Sequence, residues 1–181
     1  MELNSTQLLP VDQAKAWAAL NDIELLRTAI PGCETITGTG DNEYEVFVNA
    51  AVGPVKARFK GKLRITDIAA PVSYTLHFEG QGGAAGHGKG QAAIRLEPQG
   101  ANETLLHYTA KASVGGRLAQ VGSRLVDMAA QKMAGEFFES FSAKLVERYG
   151  APAPAAPAAQ PGLLARLVAW LRGLFGGGAK E

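Results

Sequence analysis

Val55-Lys56-Ala57-Arg58-Phe59-Lys60-Gly61-Lys62-Leu63-Arg64-Ile65 alternates without a break between cations and uncharged side chains. Successive side chains of a strand point to opposite faces, so a strict period of two predicts a β-strand with one wet and one dry face. Residues 55–68 are therefore expected to form a strand. Lys56, Arg58, Lys60, Lys62 and Arg64 fall on its outer face. Ala57, Phe59, Gly61, Leu63 and Ile65 fall on its inner face. The same pattern spreads in both directions. Residues 43–52, rich in β-branched and aromatic side chains, lead into it through the turn Gly53-Pro54. Residues 73–80 place Tyr74, Leu76 and Phe78 on one face. Residues 87–96 do the same with Gly88, Gly90, Ala92, Ile94 and Leu96, and residues 104–114 with Leu106, Tyr108, Ala110, Ala112 and Val114.

The flanks complete the fold. After an initial strand, Pro10-Val11-Asp12 opens a helix toward Leu20, with Asp12 near its N-terminus. A second short helix over residues 23–29 stops at Pro31-Gly32. Beyond Gly115-Gly116 a long helix is expected over residues 118–149, with one apolar stripe at Leu118, Val121, Leu125, Met128, Phe137, Phe141 and Leu145. Consecutive strands joined by turns argue for an antiparallel sheet, and a striped helix must cover its apolar face. The fold class is α+β.

The inner face carries no charge on the later strands, and it mixes large with small side chains. Gly and Ala leave volume where Val, Ile and Leu would fill the layer. An apolar cavity between sheet and helix is therefore expected, lined by Phe59, Leu63, Tyr74, Leu76, Phe78, Gly90, Ala92, Ile94, Tyr108, Ala110, Ala112, Met133, Phe137 and Phe141. Such a lining suits a hydrophobic ligand. The competing reading is that Met133, Phe137, Phe138 and Phe141 fill the gap.

Composition excludes several function classes. The chain has 181 residues, 46% of them hydrophobic, enough for a sizeable core. With 18 Lys and Arg against 17 Asp and Glu, nothing pulls the chain toward nucleic acid. One cysteine, Cys33, rules out an internal disulfide. No secretory signal is read at Met1, and no apolar run approaches the roughly 20 residues of a spanning helix, so a cytoplasmic location is expected. The run Gly83-Ala84-Ala85-Gly86-His87-Gly88-Lys89-Gly90 nearly matches a phosphate loop, but Gly90 stands where Ser or Thr should hold magnesium. His77, His87 and His107 fall on outward positions without metal-motif spacing. No paired carboxylates lie on an apolar face, and Cys33 has no identifiable base. An enzyme would have to work with a phenol from Tyr44, Tyr74 or Tyr108. No metal and no catalytic residue is assigned.

Four segments, in order, resemble the CoxG family of carbon monoxide dehydrogenase subunits. They are Ile30-Pro31-Gly32-Cys33-Glu34, Val55-Lys56-Ala57-Arg58-Phe59-Lys60-Gly61-Lys62, Gly88-Lys89-Gly90-Gln91-Ala92 and Gly116-Arg117-Leu118-Ala119-Gln120-Val121-Gly122-Ser123-Arg124. The resemblance covers residues 1–149. It implies a START-like helix-grip fold: a curved antiparallel sheet around a long C-terminal helix with an apolar cavity. It also implies a non-catalytic subunit that recruits an aerobic molybdenum-containing CO dehydrogenase, or a related hydroxylase, to the cytoplasmic membrane. A bound isoprenoid quinone such as menaquinone fits that fold. The alternatives are a stand-alone lipid carrier and a START-like enzyme acting on a hydrophobic substrate.

Composition changes at Gly150. Residues 150–162 are an Ala/Pro-rich linker, extending about 3 Å per residue where polyproline-like. On a helical wheel, residues 163–175 gather Leu163, Leu164, Leu167, Val168, Trp170, Leu171, Leu174 and Phe175 on one arc, opposite Arg166 and Arg172. This pattern is expected to lie on an anionic membrane surface rather than in a partner's groove or on its own domain, and at about 20 Å it is too short to span. Residues 176–181 form a flexible tail. The outer stripe from Lys56 to Arg64 is either a solvated face or a contact for anionic lipid or an acidic patch on the enzyme.

Overall fold

The computed structural model describes residues 1–151. Residues 152–162 of the expected linker, the amphipathic segment 163–175 and the tail 176–181 lie outside the described residues.

Strand β1 (Glu2–Leu9) leads into helices α1 (Gln13–Leu20) and α2 (Ile23–Ala29). Strands β2 (Cys33–Gly40), β3 (Glu43–Val52), β4 (Val55–Ala69), β5 (Ser73–Gln81), β6 (His87–Pro98) and β7 (Thr104–Gly115) follow, then α3 (Arg117–Gln120) and α4 (Ser123–Tyr149). The strands form one antiparallel sheet in the order β1-β7-β6-β5-β4-β3-β2. This is the helix-grip architecture, with α4 lying across the inner face.

The alternation of β4 is realised as read. Lys62 pairs with Glu45 and Glu79 across the sheet, and Leu63 with Tyr44 and Phe78. One register therefore sorts the charged and apolar rows on both neighbours, because a slip of one residue would turn every apolar side chain outward. Both short helices are capped from the sequence. The Asp12 carboxylate accepts from the Lys15 amide at 2.9 Å, and Asp22 accepts from the Leu25 amide at 3.0 Å. Asp22 also pairs with Arg148 at 2.6 Å, joining α2 to the last turn of α4.

The structure corrects two of these expectations and adds one strand. The helix expected over residues 118–149 is two helices, because Gly122 sits at φ 92° and no helix continues through that region. Residues 33–40 form a strand, although only Ile36 is large and apolar; as an edge strand, β2 pairs with β3 alone, and Glu34 adds an ion pair to Arg58 of β4. The stripe of the long helix is not buried throughout. Phe141 and Leu145 are fully buried, but Leu125 is 40% and Met128 56% exposed, while Val126 turns inward.

The reason is where the core sits. Leu9, Ala16, Leu96, Leu106, Phe141 and Leu145 form one fully packed cluster beneath α1 and the C-terminal half of α4. Thr104, completely buried there, donates from Oγ1 to the Val11 carbonyl at 2.8 Å. The N-terminal half of α4 lies over strands whose inner residues remain half-exposed.

Candidate ligand cavity

Next to the packed cluster the layers part and enclose a cavity of about 260 Å³. Ile23 and Leu26 of α2 form one wall, with Ile30 just beyond that helix and Ile36 of β2 behind them. The inner face of the sheet supplies Leu63 and Ile65 from β4, Tyr74 and Leu76 from β5, Ile94 from β6, and Leu106 and Tyr108 from β7. Phe137 and Phe138 close it from α4. Strand alternation sends every second residue of four neighbouring strands to this wall, and the spacing 23, 26, 30 keeps one face of α2 toward it.

The wall carries no charged side chain. Asn21 has its amide nitrogen committed to the Trp17 carbonyl at 2.8 Å. The remaining polar groups are the hydroxyls of Tyr44, Tyr74 and Tyr108. Burial pushes the Tyr74 phenol well above its ordinary pKa, so it stays neutral. The aromatic rings are organised. Tyr108 and Phe138 lie 5.2 Å apart at 32°, Phe137 meets Phe138 edge-on at 5.0 Å, and Trp17 stands edge-on to Tyr74 at 5.6 Å.

Leu63, Tyr74, Leu76, Ile94, Tyr108 and Phe137 line this cavity. Phe59, Phe78, Gly90, Ala92, Ala110, Ala112, Met133 and Phe141 lie off its wall. The small residues were expected to leave space, but at Gly90 the Phe78 ring of the adjacent strand takes it. A β-carbon at Gly90 would strike the Lys111 carbonyl and lie 2.8 Å from Phe78 Cζ. One at Gly82 would lie 2.5 Å from Phe59 Cε1. Phe78 and Phe59 thus fill the volume above these glycines, and a larger side chain at Gly90 would disrupt the sheet rather than fill a void. Phe141 is in the closed core, stacked on Phe137 at 5.4 Å. Ala92, Ala110 and Ala112 carry only methyl groups and do not reach the wall. Met133 lines a separate groove of about 510 Å³ with Leu125 and Met128, facing Pro31 and the β3–β4 turn. Sequence reasoning missed the α2 wall, although Ile23, Leu26 and Ile30 already share one helical face.

The basic stripe stands on the outer face, partly neutralised. Arg58 pairs with Glu34 at 2.7 Å, Lys60 with Glu45 at 2.8 Å, and Lys62 approaches Glu79 at 3.9 Å. Arg58 also lies over the Phe47 ring at 4.1 Å. The histidines are apart: His77 Nε2 lies 3.0 Å from Thr66 Oγ1, and His107 Nε2 3.1 Å from Glu97. Among the described residues no three potential metal ligands converge. Burial raises the Cys33 thiol, which keeps it a poor nucleophile. The glycine-rich run forms a single 3-10 turn at Gly83–Ala85 and then enters strand β6, so no α-helix follows it. Among the described residues no helix is long and apolar enough to cross a membrane.

The sequence model of the CoxG family, described as a carbon monoxide dehydrogenase subunit, matches residues 8–146. No curated protein matches this sequence. Among solved structures, the chain is similar to a conserved protein from Geobacillus kaustophilus, at 27% identity and TM-score 0.77, covering 81% of this chain and 96% of that one. It also resembles a START superfamily protein from Mycobacterium smegmatis, at 12% identity and TM-score 0.63, covering 81% and 97%. The aromatase/cyclase ZhuI from Streptomyces sp. R1128 is similar at 12% identity and TM-score 0.61, covering 82% and 94%. The last two likenesses concern the fold alone.

Proposed function

Because the chain belongs to the CoxG family of carbon monoxide dehydrogenase subunits, we propose that it is a non-catalytic subunit that carries a hydrophobic quinone and anchors its partner enzyme. The partner is an aerobic molybdenum-containing CO dehydrogenase or a related hydroxylase. The site of action is the inner face of the cell membrane. The observation that carries this reading is the uncharged, almost wholly apolar cavity. The wall supplies no charged side chain and no Ser or Cys nucleophile, only phenol hydroxyls and an amide, which supports a carrier over a catalyst.

Size refines the ligand. At about 260 Å³ the cavity is slightly below the span of roughly 300–1,000 Å³ usual for ligand pockets. A quinone ring system fits that scale and a polyprenyl chain does not. The chain would leave through the open side and lie against apolar protein or lipid. The enzyme releases two electrons for each CO oxidised, and with two protons these convert a quinone to its quinol. The CoxG-family protein shortens the path between them by holding the ring near the enzyme, while residues 163–175 hold both near the membrane. A tether raises the local concentration of one partner about the other without any new contact. The outer stripe at Lys60 and Lys62 is the proposed contact with the enzyme.

The test is CO-dependent reduction of 1,4-naphthoquinone by the purified enzyme, with and without the full-length protein. The protein should accelerate reduction at low salt and lose that effect at high salt. The double reversal Lys60→Glu, Lys62→Glu should slow it several-fold, because rim charges act on association rate. A rate indifferent to the protein would refute the enzyme-adaptor reading and leave a lipid carrier.

A further inference from the structure

Among the described residues, the Tyr74 hydroxyl is the one deeply placed polar group on the cavity wall that the protein does not use. Tyr74 is 8% exposed, lies on the inner face of β5 opposite Ile94, and faces the edge of Trp17. No side-chain hydrogen bond among these residues involves its hydroxyl. Nor is it sealed in: among the described residues, the only fully enclosed side-chain polar atom without a partner is Ser142 Oγ. The Tyr74 oxygen therefore opens on accessible space, and Tyr74 lines the cavity. Leaving a buried hydroxyl unpaired costs about 1–3 kcal/mol, and Phe would fill the same ring volume without that cost. Burial also keeps the phenol protonated, so it is a standing donor.

The surrounding walls narrow what that donor meets. Leu76, Ile94 and Leu106 offer no hydrogen bonds, and the other polar groups of the wall are confined to the Tyr44 and Tyr108 hydroxyls and to Asn21, whose amide nitrogen is already committed to Trp17. The Tyr108, Phe137 and Phe138 rings form an aromatic side suited to the face or edge of a flat ring. We infer that Tyr74 donates a hydrogen bond to a carbonyl-type acceptor on a planar apolar ligand, and so sets which end of the ligand enters first. Tyr74 is then a specificity-determining residue: it selects ring systems bearing an acceptor over bare hydrocarbons. This rests on the cavity being a ligand site and adds the chemistry that site reads.

The experiment is calorimetric titration of the full-length protein and of Tyr74→Phe with 1,4-naphthoquinone and with naphthalene, which keeps the fused ring and lacks the acceptors. The wild-type protein should prefer naphthoquinone. Tyr74→Phe should lose about tenfold in naphthoquinone affinity, equivalent to about 1.4 kcal/mol, and bind naphthalene as the wild type does. Unchanged naphthalene binding also reports that the variant is folded, and a merely structural role would weaken both ligands together. Equal naphthoquinone affinity in wild type and Tyr74→Phe would overturn the assignment while leaving the cavity reading intact. Failure of both ligands to bind the wild-type protein would overturn both.

Discussion

Ile65→Trp should lower affinity for a quinone ring by at least about 100-fold while the domain still unfolds as one cooperative unit. Ile65 lies on β4, pairs with Leu76 on β5, and contributes to the cavity wall from the middle of the sheet. An indole there projects into existing space of about 260 Å³ and puts a rigid ring where the ligand ring would lie. Overpacking a filled core costs about 1–3 kcal/mol, but a side chain entering a void meets less resistance. A displaced ring forfeits on the order of 100 Å² of apolar burial, which at about 25 cal/mol per Å² is about 2.5 kcal/mol, close to 100-fold. Titration with 1,4-naphthoquinone and a denaturant melt, run on the same sample, separate binding from folding. A folded Ile65→Trp protein with wild-type affinity would place the ligand elsewhere.

Removing residues 161–181 should reduce binding to anionic vesicles by at least about 100-fold and leave the domain's melting unchanged. The wheel of residues 163–175 carries eight large apolar side chains on one arc, Trp170 and Phe175 among them, with Arg166 and Arg172 opposite. Insertion of several such side chains into the interface contributes a few kcal/mol, and each cation adds about 1 kcal/mol near an anionic surface. Among the described residues, the packed cluster around Phe141 and Leu145 is built from side chains of β1, α1, α2, β6, β7 and α4. Vesicle flotation over a range of salt concentrations measures the loss. If the truncated protein floats with the vesicles as the intact one does, the anchor lies in the domain. The exposed Leu125 and Met128 would then be the first residues to examine.

Much of the fold could be read from the chain because one physical rule repeats in it. Alternation on β4 through β7 specified both the strands and their wet and dry faces. Asp12 marked a helix start because an N-cap carboxylate satisfies a free amide. The break at Gly122 was not legible, since glycine within an apolar stripe is compatible with a continuous helix. Strand β2 was not legible because little of it is apolar, and what holds it, pairing with β3 and the Glu34–Arg58 ion pair, comes from partners elsewhere in the chain. The site was legible in character and only partly in place. Absence of charge is a property of residue types, so the apolar wall could be foreseen. Position depends on which rings fold over which glycines. Phe78 over Gly90 and Phe59 over Gly82 close the space that composition alone leaves open, and the cavity moves toward α2.

A hydrophobic molecule held in the cavity beneath α2 and α4 should stay with the protein through purification. Native mass spectrometry of the full-length protein, purified from cells that make isoprenoid quinones, tests it most directly when Ile65→Trp is prepared in parallel. One apolar molecule per wild-type chain is expected, released on activation with the mass of a quinone, and absent from Ile65→Trp. A wild-type protein that flies only as the bare chain, or an Ile65→Trp protein carrying the same molecule, would contradict it.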